Sequence, residues 1–182
     1  MNNKPNQRIM LTKRLLKESL IEMLKNDENI YKLSIRDLCE NAGINRSTFY
    51  KYYGNQFDLL REIEDEFVTD LLSYLTDAPE NFRQAFCQIC HRLEDNIDLA
   101  RILLNGNINK DFPARIFPMA FIQEEIQKAF TRQYTNGELA YLSCYVVYGA
   151  CESVRLWINK ENHESPEEFA ELITSITIQP NA

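Results

Sequence analysis

Two stretches of this 182-residue chain gather side chains whose types and spacing could do chemistry. The first reads G-I-N-R-S-T-F-Y-K-Y-Y-G-N-Q-F from Gly43 to Phe57 and places Arg46, Ser47, Thr48, Tyr50, Lys51 and Tyr52 directly after a glycine turn. A guanidinium, an ammonium, hydroxyls and phenols crowded on a short helix suit a polyanion. Arg46 leads the group, and arginine is the residue type whose fork best matches guanine in a DNA major groove. Ser47 stands beside it at the leading end. Thr48, Tyr50, Lys51 and Tyr52 suit phosphate oxygens, contacts that fix register more than sequence.

The second stretch, Cys87-Gln88-Ile89-Cys90-His91, fits the C-x-x-C-H pattern of covalent haem attachment. Its setting argues otherwise. No second cysteine pair lies nearby and His163 is remote in sequence, so the pattern reads as core cysteines on an amphipathic helix. A thiol sensor or an adventitious metal site is the lesser alternative, and no cofactor or metal is expected. Catalysis is not expected either. The chain has neither a glycine-rich phosphate loop nor a G-x-S-x-G elbow, and its two histidines stand outside any catalytic motif.

The elements that must position these residues are helices. Glycine numbers five and proline six, and runs of alternating apolar and polar residues are almost absent, so the reading is all-α with about nine helices. Leu16, Leu20, Met23 and Leu24 mark one face of a first helix over about 6–25. Ser34 opens a second, short helix in a capping-box-like S-I-R-D that ends at Ala42-Gly43. Asn45 is placed to cap a third over about 45–53, its side chain accepting from orphan amides. Leu38, Ile44 and Phe49 would pack between these two. A long fourth helix runs to about Thr76, followed by helices near 80–95, 97–104, 113–134, 138–160 and 166–177. The expected division is a three-helix DNA-binding domain over 1–55 and a helical regulatory and dimerisation domain over 56–182.

Two short helices joined by a glycine and preceded by a third describe a helix-turn-helix. Ser34 and Arg36 would then reach the DNA backbone from the second helix, whose N-terminus attracts phosphate. Periodicity alone leaves a small amphipathic helix pair in an ordinary bundle equally open.

Charge distribution favours the polyanion. The formal net charge is −7, yet residues 1–60 hold ten Lys/Arg against seven Asp/Glu, leaving ten against twenty in the remainder. A basic N-terminal part beside an acidic C-terminal part suggests that only the former meets nucleic acid. The opening M-N-N-K-P-N-Q-R is not a hydrophobic signal segment, and the longest uncharged run, Leu139 to Cys151, is too short for a bilayer span. The expected location is the cytoplasm, with the five cysteines as free thiols.

The run L-S-I-R-D-L-C-E-N-A-G-I-N-R-S-T-F-Y-K-Y-Y-G-N-Q-F-D-L-L resembles the DNA-binding region of the TetR (tetracycline-repressor-like) transcriptional regulators. In these, Thr or Ser opens helix two, Ala-Gly-Val-Ser forms the turn, and Tyr-x-His-Phe closes helix three ahead of Lys and Leu-Leu. The resemblance implies a homodimer with two recognition helices in successive major grooves, and places Ser34, Arg46, Ser47, Thr48, Tyr50 and Tyr52 on DNA-contacting positions. Tyr52-Tyr53 stands for His-Phe. Gln56 occupies the usual lysine position, where it can still donate a hydrogen bond to phosphate, so binding is expected to be weaker or less salt-sensitive.

Residues 145–173 resemble the final helix pair of one branch of that family, which implies a four-helix dimer interface. The stripe Leu142, Val146, Ala150, Val154 and Trp157, with Phe169, Leu172, Ile173 and Ile176 on the next helix, would supply it; periodicity equally allows that stripe to face the chain's own core. The family's middle helices often enclose an effector pocket, for which Phe86, Cys90, Phe117, Phe121, Tyr145 and Tyr148 are the candidates. The combined expectation is a ligand-responsive, homodimeric repressor of a double-stranded DNA operator, whose effector shifts helix four and changes the spacing of the recognition helices. The competing reading is a co-regulator of the same fold that binds another protein and has no working effector pocket.

Overall fold

The computed structural model describes residues 4–25, 29–76, 82–105, 112–116, 119–130 and 132–177, and among them every regular element is a helix. In chain order these are α1 (Lys4–Lys25), α2 (Ile35–Ala42), α3 (Arg46–Tyr50), α4 (Gln56–Thr76), α5 (Phe82–Asp95), α6 (Ile97–Asn105), α7 (Phe112–Ile116), α8 (Met119–Ala129), α9 (Asn136–Asn159) and α10 (Pro166–Thr177). The single helix expected over 113–134 is described as α7 and α8, and residues 117–118 lie outside the described residues. No described helix is long and apolar enough to cross a membrane.

The chain forms two compact units, Met1–Phe67 and Val68–Ala182, and the division falls inside α4 rather than at its start. Packing in the first unit explains the difference. Leu16 and Leu20 of α1, Leu38 of α2, Phe49 of α3 and Leu59 of α4 are all fully buried. The opening turns of α4 therefore complete the N-terminal core. Ser19, buried on α1, donates to the Leu38 carbonyl at 3.1 Å and ties α1 to α2.

Ion pairs reinforce the contact of α1 with α4. Lys13 Nζ lies 2.9 Å and Lys17 Nζ 2.7 Å from the Glu62 carboxylate, and Lys17 also meets Glu66 at 2.5 Å. Burial pushes the Glu62 carboxyl up, but hydrogen bonds and charge from Lys13 and Lys17 together hold it below its usual 4.5. Burial likewise pulls Lys17 down, and Glu62 and Glu66 outweigh it, so its ammonium stays protonated above 10.5. A depressed carboxylate stabilises the fold above its unfolded value and stops doing so as pH falls through its folded one. The raised lysine stabilises below its unfolded value, and that contribution ends as pH rises through its folded one. Replacing Glu62 by Gln is expected to cost up to about 1 kcal/mol near neutral pH, the range for partly exposed pairs. Urea midpoints of wild type and E62Q should converge as pH falls through the folded Glu62 value and its carboxylate takes up a proton; a gap that persists in acid beyond that point would contradict the assignment.

In the second unit α9 packs against α5, α6, α7 and α8, and α10 packs against α5. Helix α9 opens with a capping box, in which the Glu138 amide donates to Thr135 Oγ1 at 3.3 Å and the Thr135 amide donates to Glu138 Oε2 at 2.9 Å. Ser165 and Glu168 exchange the equivalent bonds at the start of α10, at 3.2 and 3.1 Å. The turn between α9 and α10 closes over Trp157. Its indole N–H donates to the Glu164 carbonyl at 2.8 Å, its ring stacks on Phe169 at 5.0 Å and 9°, and His163 lies against it at 4.6 Å.

Within the chain, the α9 stripe lies largely inside. Val146, Ala150, Val154 and Trp157 are buried in the chain's own core, as are Phe169 and Ile173 of α10; only Leu172 and Ile176 are exposed. The face that α9 leaves open carries Tyr141, Tyr145, Tyr148 and Leu156, at 80, 78, 43 and 61% exposure. Gly149 lies on the same exposed face, where an added Cβ would meet nothing within 4 Å.

The described candidates for an effector pocket differ in burial. Phe86 and Cys90 are fully buried on α5, Phe86 packing against Phe82 and Phe169, each at 5.9 Å. Tyr145 and Tyr148 are among the exposed residues of α9, and Phe121 is half-buried on α8. Phe117 lies outside the described residues.

Candidate nucleic-acid interface

Helix α2 is set by its two ends. The Ser34 hydroxyl accepts from the Asp37 amide at 3.1 Å, and Gly43 closes the helix at φ 65. That left-handed conformation costs glycine little and a side chain much more. The chain then reverses: the Gly43 amide donates to Glu40 at 3.2 Å and the Ile44 amide to Cys39 at 2.9 Å, satisfying carbonyls that the helix end leaves free. Asn45 caps α3 differently from the expectation. Its side chain makes no capping bond, and its carbonyl accepts from the amides of Thr48 at 2.8 Å and Phe49 at 3.1 Å.

The short α3 is anchored by one residue. Phe49 is fully buried, with Tyr50 edge-on at 5.5 Å and Tyr53 tilted at 5.5 Å. With Phe49 turned inward, Arg46, Ser47, Tyr50 and Lys51 are exposed, while Thr48 and Tyr52 are half-buried. The structure thus brings together on one short helix and the turn after it the six side chains read from the sequence. Lys51 Nζ lies 5.8 Å from the Tyr52 ring centroid, a cation–π contact that orients the ammonium. Tyr53 is not part of this surface. Its phenol is buried, and desolvation reinforced by the Glu62 charge holds its proton on well above the usual tyrosine range.

The ends of neighbouring helices modify the expected phosphate grip. Arg36 is exposed, but its Nε lies 3.3 Å from Asp37 and 3.7 Å from Glu40, so its charge is locally balanced. Ser34 spends its oxygen on the α2 cap, and together with Arg36 it holds the Asp37 carboxyl below the usual range. Gln56 has turned inward: its amide donates to the Ile30 carbonyl at 3.2 Å, tying the start of α4 to the segment before α2.

A further capping box, one that the sequence reading missed, starts α4. Asp58 Oδ2 accepts from the amides of Gly54 at 2.9 Å and Asn55 at 3.2 Å, and Asn55 Oδ1 accepts from Phe57 at 2.9 Å and Asp58 at 3.1 Å. The signal was Asn followed three residues later by Asp. Gly54 fits because a Cβ there would meet Asp58 Oδ2 at 3.0 Å.

Over this geometry the comparisons with known proteins are direct. The profile of the TetR-type family "Transcriptional regulator C-terminal region" matches residues 80–179, more than half of the chain. The chain belongs to the TetR family of transcriptional regulators. A TetR transcriptional regulator from Streptococcus agalactiae 2603V superposes with a TM-score of 0.76 at 18% identity, over 96% of this chain and 98% of that one. The dihydroxyacetone kinase operon activator DhaS superposes at 0.53 with 20% identity, over 92% and 94%. At these identities the likeness shows the TetR fold alone. An uncharacterized HTH-type transcriptional regulator, YxbF of Bacillus subtilis (strain 168), is 25% identical over 168 residues. Those residues are 90% of this TetR-family chain and 44% of YxbF, so the chain spans less than half the length of that relative.

Proposed function

We propose that this TetR-family regulator binds a specific double-stranded DNA operator as a homodimer, reading bases with Arg46 from the leading end of α3. The observation that carries this is the inversion of α3 about Phe49. A fully buried ring holds a five-residue helix whose outward side chains are an arginine, a serine and a tyrosine, with Lys51 next in the chain. Thr48, Tyr50, Lys51 and Tyr52 are phosphate contacts in this reading. Ser34 and Arg36 approach the backbone from the start of α2, with Arg36 contributing little net charge because Asp37 and Glu40 flank it. Gln56 serves the fold rather than the DNA.

A two-fold operator requires a two-fold partner. The exposed tyrosines of α9 and the exposed Leu172 and Ile176 of α10 are the surface for it, in place of the buried stripe. Tyrosines suit an interface because a large apolar body carries a polar tip. Gly149 supports the same face: a glycine inside a helix costs about 1 kcal/mol relative to alanine, and nothing within the chain requires one there. Close approach of a second helix would use it. The regulator is proposed as a repressor, with operator occupancy blocking transcription. Release by a small molecule among Phe86, Cys90, Tyr145 and Tyr148 is not supported, since two of these are core and two face outward.

Selection of bound fragments from sheared genomic DNA tests the proposal, followed by binding to the selected and scrambled sequences. A transcription assay from the selected promoter separates repression from activation. Replacing Arg46 by Ala is expected to reduce discrimination by roughly 5- to 150-fold, the equivalent of the ~1–3 kcal/mol carried by a bidentate base contact. Residual affinity for scrambled DNA should remain at low salt. Unchanged discrimination would remove Arg46 from base reading, and failure to select any fragment would overturn DNA binding itself.

A further inference from the structure

Cys87, His91 and Glu167 bring a thiol sulfur, an imidazole nitrogen and a carboxylate oxygen within 4.8 Å of one another. The sequence alone gave no reason to join them, because Glu167 lies 76 residues beyond His91. Folding makes the connection. Cys87 and His91 are four residues apart on α5 and so project from one face, one turn after the other. Glu167 stands in the first turn of α10, positioned by the Ser165–Glu168 capping box and the buried Pro166. Helices α5 and α10 are clamped together beside this point by Phe86 against Phe169 and by Arg83 to Glu171 at 2.5 Å. Donors mounted on packed helices hold their geometry better than donors on loops.

The donor set is selective. Sulfur disfavours magnesium and calcium, which take oxygen, while sulfur, imidazole and carboxylate together suit borderline divalent ions. Zinc-class distances of about 2.0–2.3 Å place neighbouring donors roughly 3–4 Å apart around the ion. His91 Nε2 and Glu167 Oε1 are 2.7 Å apart, so they need only separate slightly, and both side chains are half exposed or more. Three protein donors leave a coordination position for water.

We propose that Cys87, His91 and Glu167 form a binding site for a zinc-class divalent transition ion that clips α5 to α10. On binding, the Cys87 thiol releases its proton to solvent and the sulfur lone pair takes up the metal, displacing one hydration water. The site lies wholly within the second unit and stands independently of the DNA-binding proposal.

Cobalt(II) added to the reduced, chelator-treated full-length chain tests it, because cobalt reports its donors by colour. One cobalt per chain is expected, with a thiolate-to-cobalt charge-transfer band in the near ultraviolet. Zinc should displace it and excess magnesium should not. Cys87→Ser should abolish the band, and His91→Ala and Glu167→Gln should each weaken cobalt binding by about tenfold or more. Cys144→Ser, at an exposed cysteine on α9, should change nothing. Zinc should also raise the melting temperature of the wild type and leave that of C87S unmoved. All three ligand variants alter side chains that are half or more exposed or change them isosterically, and circular dichroism confirms that each remains helical. A charge-transfer band that survives C87S, or an affinity indifferent to both His91→Ala and Glu167→Gln, would overturn the site.

Discussion

Replacing Tyr145 by Asp is expected to dissociate the proposed dimer into monomers at micromolar concentration while leaving the chain folded. Tyr145 is 78% exposed, so the aspartate costs the isolated chain little, and the change falls on association. In a two-fold interface each substitution occurs twice. Truncating a buried interfacial aromatic typically costs about 2 kcal/mol or more, so two copies remove at least ~4 kcal/mol, roughly a thousandfold in the dimerisation constant. Two like charges brought together at the axis add to that. Operator affinity should fall with dimerisation, since one α3 then engages one half-site, whereas binding of Arg46→Ala should remain dimeric and lose discrimination only. Sedimentation velocity across a concentration series measures the first effect and titration with operator DNA the second. A Y145D variant that still sediments as a dimer would move the interface away from the tyrosine face of α9.

The same helix marks where the sequence was legible and where it was not. Ser34 and Gly43 were readable because capping and left-handed turns are local: a hydroxyl three residues before an amide, or a glycine where φ must be positive, leaves its mark within one helical turn. The inward turn of Phe49 was readable for a related reason, since a five-residue helix with one apolar anchor has one way to face. Partners were not readable. Apolar periodicity identifies a face and says nothing of what covers it. Helix α9 carries two such faces: Val146, Ala150, Val154 and Trp157 on one, Tyr141, Tyr145, Tyr148 and Leu156 on the other. Tyrosines spaced by four and three were the available signal for the open face, because phenols bury poorly without hydrogen-bond partners and favour surfaces that meet another molecule. Glu167 was invisible as a partner of His91 for the same reason: the packing of α5 on α10 is a tertiary event with no local trace. The bond from Gln56 to the Ile30 carbonyl left no local trace either, because that acceptor lies far back in the chain.

Replacing Trp157 by Ala should destabilise the fold by about 3–5 kcal/mol, a loss set by the chain's own core and independent of association. Trp157 is 3% exposed and is the only tryptophan. Its removal takes away the ring that stacks on Phe169, strips His163 of its aromatic contact, and leaves the Glu164 carbonyl without its indole donor. Domains are stable by only about 5–15 kcal/mol, so this single change uses a large share of the margin. Urea denaturation followed by circular dichroism in the Tyr145→Asp background measures it free of dimerisation. If Trp157 belonged to the dimer interface, the monomeric background would already have lost its contribution and W157A would add almost nothing. A buried core role predicts the reverse, a midpoint that falls sharply and does not change with protein concentration.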